Sequence, residues 1–134
     1  MQGIKKLLGP KLLLGLASIY TILLTLVSVA ERGNLPELPI FPMQDKVAHV
    51  LAYTILGGLW GVFWMRKASP ARNHPYFTVL ILGAFIYGTI IEVIQQHFTF
   101  SRSGDIYDIF ANLFGMLLGA ILGRIFYNKI LSHK

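Results

Sequence analysis

The sequence predicts an all-α, polytopic membrane protein: a bundle of four transmembrane helices with both termini cytoplasmic. Three observations carry that reading. Of the 134 residues, 54% are hydrophobic and 13% are charged, against about 45–50% and about 25% in soluble domains. Twelve basic and six acidic side chains are too few to solvate a chain whose mean hydropathy is +0.60. The apolar residues also fall into four runs, each close to the roughly 20 residues that cross about 30 Å of hydrocarbon as a helix. None of the runs alternates with period two, and open strands leave backbone groups unpaired in lipid. Disorder and an ordinary soluble domain are excluded. Cysteine is absent, which excludes a disulfide framework, a thiolate metal site and a cysteine nucleophile.

The first span is expected at about residues 12–30. Between Lys11 and Glu31 lie 19 uncharged residues. Lys5, Lys6 and Lys11 before it, and Ser28-Val29-Ala30 after it, also resemble a signal peptide with a small-residue cleavage site. The apolar stretch exceeds the usual signal core of about 7–15 residues, so it reads as a span. Pro36, Pro39 and Pro42 then recur at every third position, which favours an extended connection. The second span is expected at about residues 46–65, with His49 as its one group titrating near neutrality. Residues 66–75 form the second loop. The third span, about 76–98, is interrupted by Glu92. A short loop at 99–104 leads to the fourth, about 105–127, with Asp108 and Asn112 in its first turns. No internal repeat or long linker divides residues 1–134, so one domain is expected.

Charge placement orients the chain. The N-terminus, the second loop and the C-terminus hold nine basic residues and no acid. Arg32, Lys46 and Arg102 share the other side with all six acids. Lys and Arg accumulate in short cytoplasmic loops, so the first and third loops are expected outside. Insertion and anionic lipid heads account for the basic excess, and nucleic acid is not an expected partner. Trp60, Trp64, Tyr76, Phe126 and Tyr127 fall where an inner aromatic belt is expected.

The informative residues are those that are expensive in lipid. Asp45 and His49 share a face of the second span, continued by Tyr53, Gly57 and Gly61. On the third span Ala84, Gly88, Glu92 and Gln95 or Gln96 follow the same spacing. On the fourth, Asp105, Asp108 and Asn112 lead into Gly115, Gly119 and Gly123. The first carries a milder stripe of Ser18, Thr21, Thr25 and Ser28. Small residues at every fourth position let membrane helices approach closely. If the small faces meet, the polar faces above them meet too, in a cleft dipping into the outer leaflet. Asp45 and Asp105 also stand where N-caps are expected, Lys46 where a lysine snorkels, and Glu92 where it can pair with Arg102 or Lys46. An ionisable residue inside a span is a functional-site hypothesis by default.

Several chemistries are compatible with that cluster. His49, Glu92 and Asp108 are candidate catalytic acid/base groups. Arg102 with Lys46 suits a phosphate or carboxylate. Ser101 and Ser103 offer hydroxyls but lack a nucleophile-elbow pattern. His49 with Asp105, Asp108 and Glu92 holds enough donors for a divalent ion. HExxH and clustered-histidine spacings are absent, as are Walker and dinucleotide motifs, so neither metal nor cofactor is expected.

The pattern Asp45-Lys46-x-x-His49, Glu92-x-x-Gln95 and Arg102-x-x-Asp105-x-x-Asp108-x-x-x-Asn112-x-x-Gly115 resembles the VanZ-like family of small bacterial membrane proteins. The resemblance covers roughly residues 43–123. It implies a multi-pass protein of the bacterial cytoplasmic membrane, in a family named for a protein associated with low-level teicoplanin resistance. It points to Asp45, Lys46, His49, Glu92, Gln95, Arg102, Asp105, Asp108 and Asn112 as ligand-binding positions. The expected function is binding or modulating an envelope lipid or lipid-linked precursor. An intramembrane hydrolase or transferase using His49, Glu92 and Asp108 is the alternative. A purely structural or assembly protein is a third reading.

Overall fold

The computed structural model describes residues 3, 8–30, 43–67, 75–98 and 105–132. They form α1 (Pro10–Val29), α2 (Gln44–Lys67), α3 (Tyr76–Phe98) and α4 (Ile106–Phe126), with a π-helical turn over Tyr127–Leu131. Each of the four is long and apolar enough to cross a membrane, and the chain is a multi-pass membrane protein. The ends lie within two residues of the predicted spans, except that the last helix runs on to Leu131.

Local sequence accounts for the starts. Pro10 opens α1, where a missing N–H costs nothing. Asp105 caps α4, its carboxylate accepting the backbone N–H of Tyr107 at 2.9 Å. Asp45 is not the cap of α2. It lies inside the first turn, because the helix already begins at Gln44, with Val47 N–H donating to the Met43 carbonyl. Met43 adopts a left-handed φ of 63° to make that entry, a conformation uncommon outside glycine.

The bundle is organised by α2 against α4, the most extensive helix pair. A Cβ on Gly115 would collide with the Val50 carbonyl, and one on Gly119 with the Thr54 carbonyl. One on Gly123 would stand 3.0 Å from the Gly58 carbonyl oxygen. Position on α4 thus exceeds position on α2 by a constant 65, so the two helices run parallel. Gly57 returns the contact, its face against the Met116 carbonyl.

The other two helices run the opposite way. The Asn112 side chain of α4 lies against Gly88 on α3, and Leu80, Ala84 and Ile91 of α3 are buried. Hydrogen bonds join α1 to α2 and α3. Tyr20 donates to the Ala52 carbonyl at 3.0 Å, and Trp60 Nε1 to Thr21 Oγ1 at 3.2 Å. Thr25 and Tyr87 hydroxyls share a bond of 2.7 Å. At the end away from the polar cluster, Leu13, Val62, Phe63, Met65 and Leu131 form a core. Trp60, Trp64, Tyr76 and Tyr127 pack against it, so these aromatics are packing residues of that end as well as neighbours of its interface.

The outside is apolar: Ile19, Leu26, Leu51, Ile86, Phe110 and Phe114 are all exposed. Among the described residues the buried charged and amide side chains are Glu92, Gln95, Asp108 and Asn112. A soluble domain shows the reverse arrangement.

The glycine contact predicts opposite signs for one substitution at two sites. Gly119→Ala must push α2 and α4 apart, and overpacking of this kind costs about 1–3 kcal/mol. Gly83→Ala meets nothing within 4 Å and gains helix propensity of roughly 0.5–1 kcal/mol. Thermal unfolding in micelles checks both. Equal midpoints for the two variants would contradict the close approach.

Candidate functional site

The parallel register extended upward by a turn places the first turns of α2 beside those of α4. The C-terminal end of α3 joins them. Lys46 Nζ donates to Asp105 Oδ2 at 2.6 Å and to Asp108 Oδ1 at 2.9 Å. Asp105 binds three partners: one oxygen caps α4, the other meets Lys46, and its backbone N–H donates to Glu92 Oε2 at 3.0 Å. Glu92 therefore reaches α4 through a backbone N–H, and Lys46, at the rim, is held by two aspartates. The Lys46 ammonium also stands 5.7 Å from the centre of the Tyr107 ring.

One turn deeper, His49 Nδ1 lies 3.0 Å from Asn112 Oδ1. A carbonyl oxygen only accepts, so Nδ1 carries the proton. His49 Nε2 faces Asp108 Oδ2 at 3.8 Å. Asp45, His49 and Asp108 each present one ligand-type atom, all within 4.8 Å of one another.

Burial is deep at this level. Glu92 and Asp108 are 5% exposed and Asn112 is 1% exposed. Glu92 Oε1 and Asn112 Nδ2 are buried with no hydrogen-bond partner among the described residues. The cluster is acidic: Asp45, Glu92, Asp105 and Asp108 stand against Lys46 alone among the described residues.

Gln95 is buried, and its Nε2 donates to the Ser28 carbonyl of α1 at 2.7 Å, which ties α1 to α3. Gln96 is exposed. Arg102, Ser101 and Ser103 lie outside the described residues. Sequence reasoning passed over Tyr107, whose N–H receives the Asp105 cap. The available signal was its place two residues after a capping aspartate.

Asp105 is the exposed hinge of this network. Its hydrogen bond from Lys46, then that from the Tyr107 backbone, hold its carboxyl below the usual aspartate range. A carboxyl depressed in the folded state stabilises above its unfolded value, near 4, and loses that contribution as pH falls through the folded value. The difference in thermal midpoint between wild type and Asp105→Asn is therefore expected to be constant from pH 7 to about 5 and to shrink below about 4. Parallel pH series in one detergent check this. A difference that grows on acidification would contradict it.

Comparison with known proteins agrees with the resemblance. The VanZ/LLP1 family model matches residues 9–127. An uncharacterized protein of the fission yeast Schizosaccharomyces pombe is 33% identical over 115 residues, which is 86% of this chain and 66% of that protein. The chain thus spans just under two thirds of that relative's length. No solved structure matches. That relative comes from a yeast, not from a bacterium. The family match takes in all four helices together with the polar cluster, and the chain belongs to the VanZ/LLP1 family.

Proposed function

We propose that this chain binds the polar head of an envelope lipid, or of a lipid-linked precursor, in the outer leaflet of a bacterial cytoplasmic membrane. The carrying observation is the pair of buried polar atoms, Glu92 Oε1 and Asn112 Nδ2, that find no partner among the described residues, in the cluster at one end of an otherwise apolar bundle. Each such atom costs about 1–3 kcal/mol if nothing meets it. Fastening alone does not explain that cost, because glycine contacts and the α1 hydrogen bonds already join the helices. A headgroup bearing hydroxyls or an amine supplies what the carboxylates lack. Arg102, in the loop before α4, suits the phosphate through its planar fork. The charge asymmetry of the termini and loops supports placing the cluster outside. Holding a precursor there alters its display, which is the route by which such a protein would influence teicoplanin action.

A hydrolase or transferase is a second reading, favoured by one observation. His49 Nε2 is presented as a base beside buried Asp108. Release of phosphate or headgroup from lipid by the wild type, lost in His49→Ala, would select it.

Native mass spectrometry tests the binding reading. Wild type is expected to retain an anionic lipid from the membrane. Arg102→Ala and Asp108→Asn are each expected to retain roughly tenfold less, about 1.4 kcal/mol of binding. Both variants are expected to elute as folded protein. Equal retention in all three would overturn the reading. Loss of folding in step with loss of lipid would favour a structural role.

A further inference from the structure

We propose that Asp45, His49 and Asp108 form a site for one divalent transition ion of the zinc or manganese class. The first observation is geometric. One donor atom from each residue lies within 4.8 Å of the others, on two helices whose register the glycines fix. Donors bound at about 2.1 Å stand roughly 3.0–3.6 Å apart for angles of 90–120°. The His49 Nε2 to Asp108 Oδ2 separation of 3.8 Å lies just outside that range, and the others, within 4.8 Å, close with at most about 1.2 Å of side-chain movement.

The second observation is the orientation of the imidazole. With Nδ1 turned to Asn112 Oδ1 at 3.0 Å, Nε2 is turned toward Asp108 Oδ2. Metal-bound histidines commonly donate their other ring N–H to a fixed oxygen, which sets the tautomer. Asn112, 1% exposed, is the positioning residue here.

The third observation concerns charge. Lys46 engages only Oδ1 of Asp108, leaving Oδ2 to face His49. Buried Glu92, its Oε1 unpartnered among the described residues, interacts electrostatically with both Asp108 and His49. One imidazole with two carboxylates suits zinc or manganese better than calcium, which takes 6–8 oxygen ligands. Three protein donors leave a coordination position open. The ion stands on these donors alone, whereas its use as the contact for a lipid phosphate rests on the headgroup reading above.

The experiment uses full-length protein in detergent, treated with chelator and dialysed against zinc, manganese or calcium chloride. Elemental analysis of the wild type is expected to give one zinc or manganese ion per chain and no stoichiometric calcium. His49→Ala and Asp45→Asn are expected to abolish stoichiometric binding. Asn112→Ala is expected to weaken it about 10–100-fold. Should a variant fold poorly, cobalt-loaded wild type decides. Visible d–d bands of mixed nitrogen and oxygen ligation support the site, and a purely aquo spectrum overturns it. Less than a tenth of an ion per chain in wild type, or binding unchanged in both His49→Ala and Asp45→Asn, also overturns it. Nanodiscs of phosphatidylglycerol and phosphatidylethanolamine separate the two proposals. Lipid retention that survives chelation removes the metal–phosphate contact and leaves the headgroup reading. Stoichiometric metal without lipid retention does the reverse.

Discussion

The backbone contact between α2 and α4 is the constraint on which the rest of the structure depends. In lipid, apolar burial gives little drive for helices to associate, so close packing and polar contacts must supply it. Gly115, Gly119 and Gly123 remove the side chains that would hold the two backbones apart. Because the helices run parallel, their N-termini open at the same end of the bundle. Each N-terminus carries a partial positive charge that favours carboxylates. Asp45 lies in the first turn of α2, and Asp105 and Asp108 lie at the start of α4. The glycine register therefore places a shared acidic site where two helix dipoles help to stabilise it.

The same register explains how charge is tolerated at a membrane depth where it is costly. Lys46 stands at the rim, 28% exposed, and joins exposed Asp105 to buried Asp108. Asp105 in turn offers its backbone N–H to Glu92. Charge is thus graded from the surface inward through hydrogen bonds, and the next layer holds His49 and the uncharged amide of Asn112. Charged hydrogen bonds are roughly twice as strong as neutral ones. Removing Lys46 would leave buried Asp108 without its ammonium, whereas Asp105 would keep solvent and its cap.

Much of this was legible in the sequence, and for identifiable reasons. The four spans followed from run length, and the α4 stripe from Asp108 through Gly123 from three-and-four spacing, because both signals are local. The same spacing puts Gln95 on the cluster's face, and its Nε2 reaches the Ser28 carbonyl of α1. Spacing fixes a face of a helix, but a face 100° wide borders two neighbours. The capping role of Asp45 failed because the helix starts one residue earlier, after Met43 takes a left-handed conformation that no residue preference announces. The tryptophans at the other end read as a belt because interface and core select the same residue types. Only the contacts of Trp60 and Trp64 with the Leu13–Phe63 core distinguish them.

Within the cluster, the residues fall into two kinds by what their polar atoms already touch. Lys46 and Asp105 have their described partners in place, at 2.6–3.0 Å. Their contribution is to folding and is present without any ligand. Glu92 and Asn112 each keep one buried atom unmatched among the described residues, and His49 faces Asp108 across a separation that no hydrogen bond spans. A folded membrane protein tolerates such deficits only when the rest of the bundle is strong enough to hold them open. Here the glycine-locked helix pair provides that strength. The division of labour follows from position: groups at the rim satisfy one another, and groups one turn deeper are held apart by the backbones that carry them.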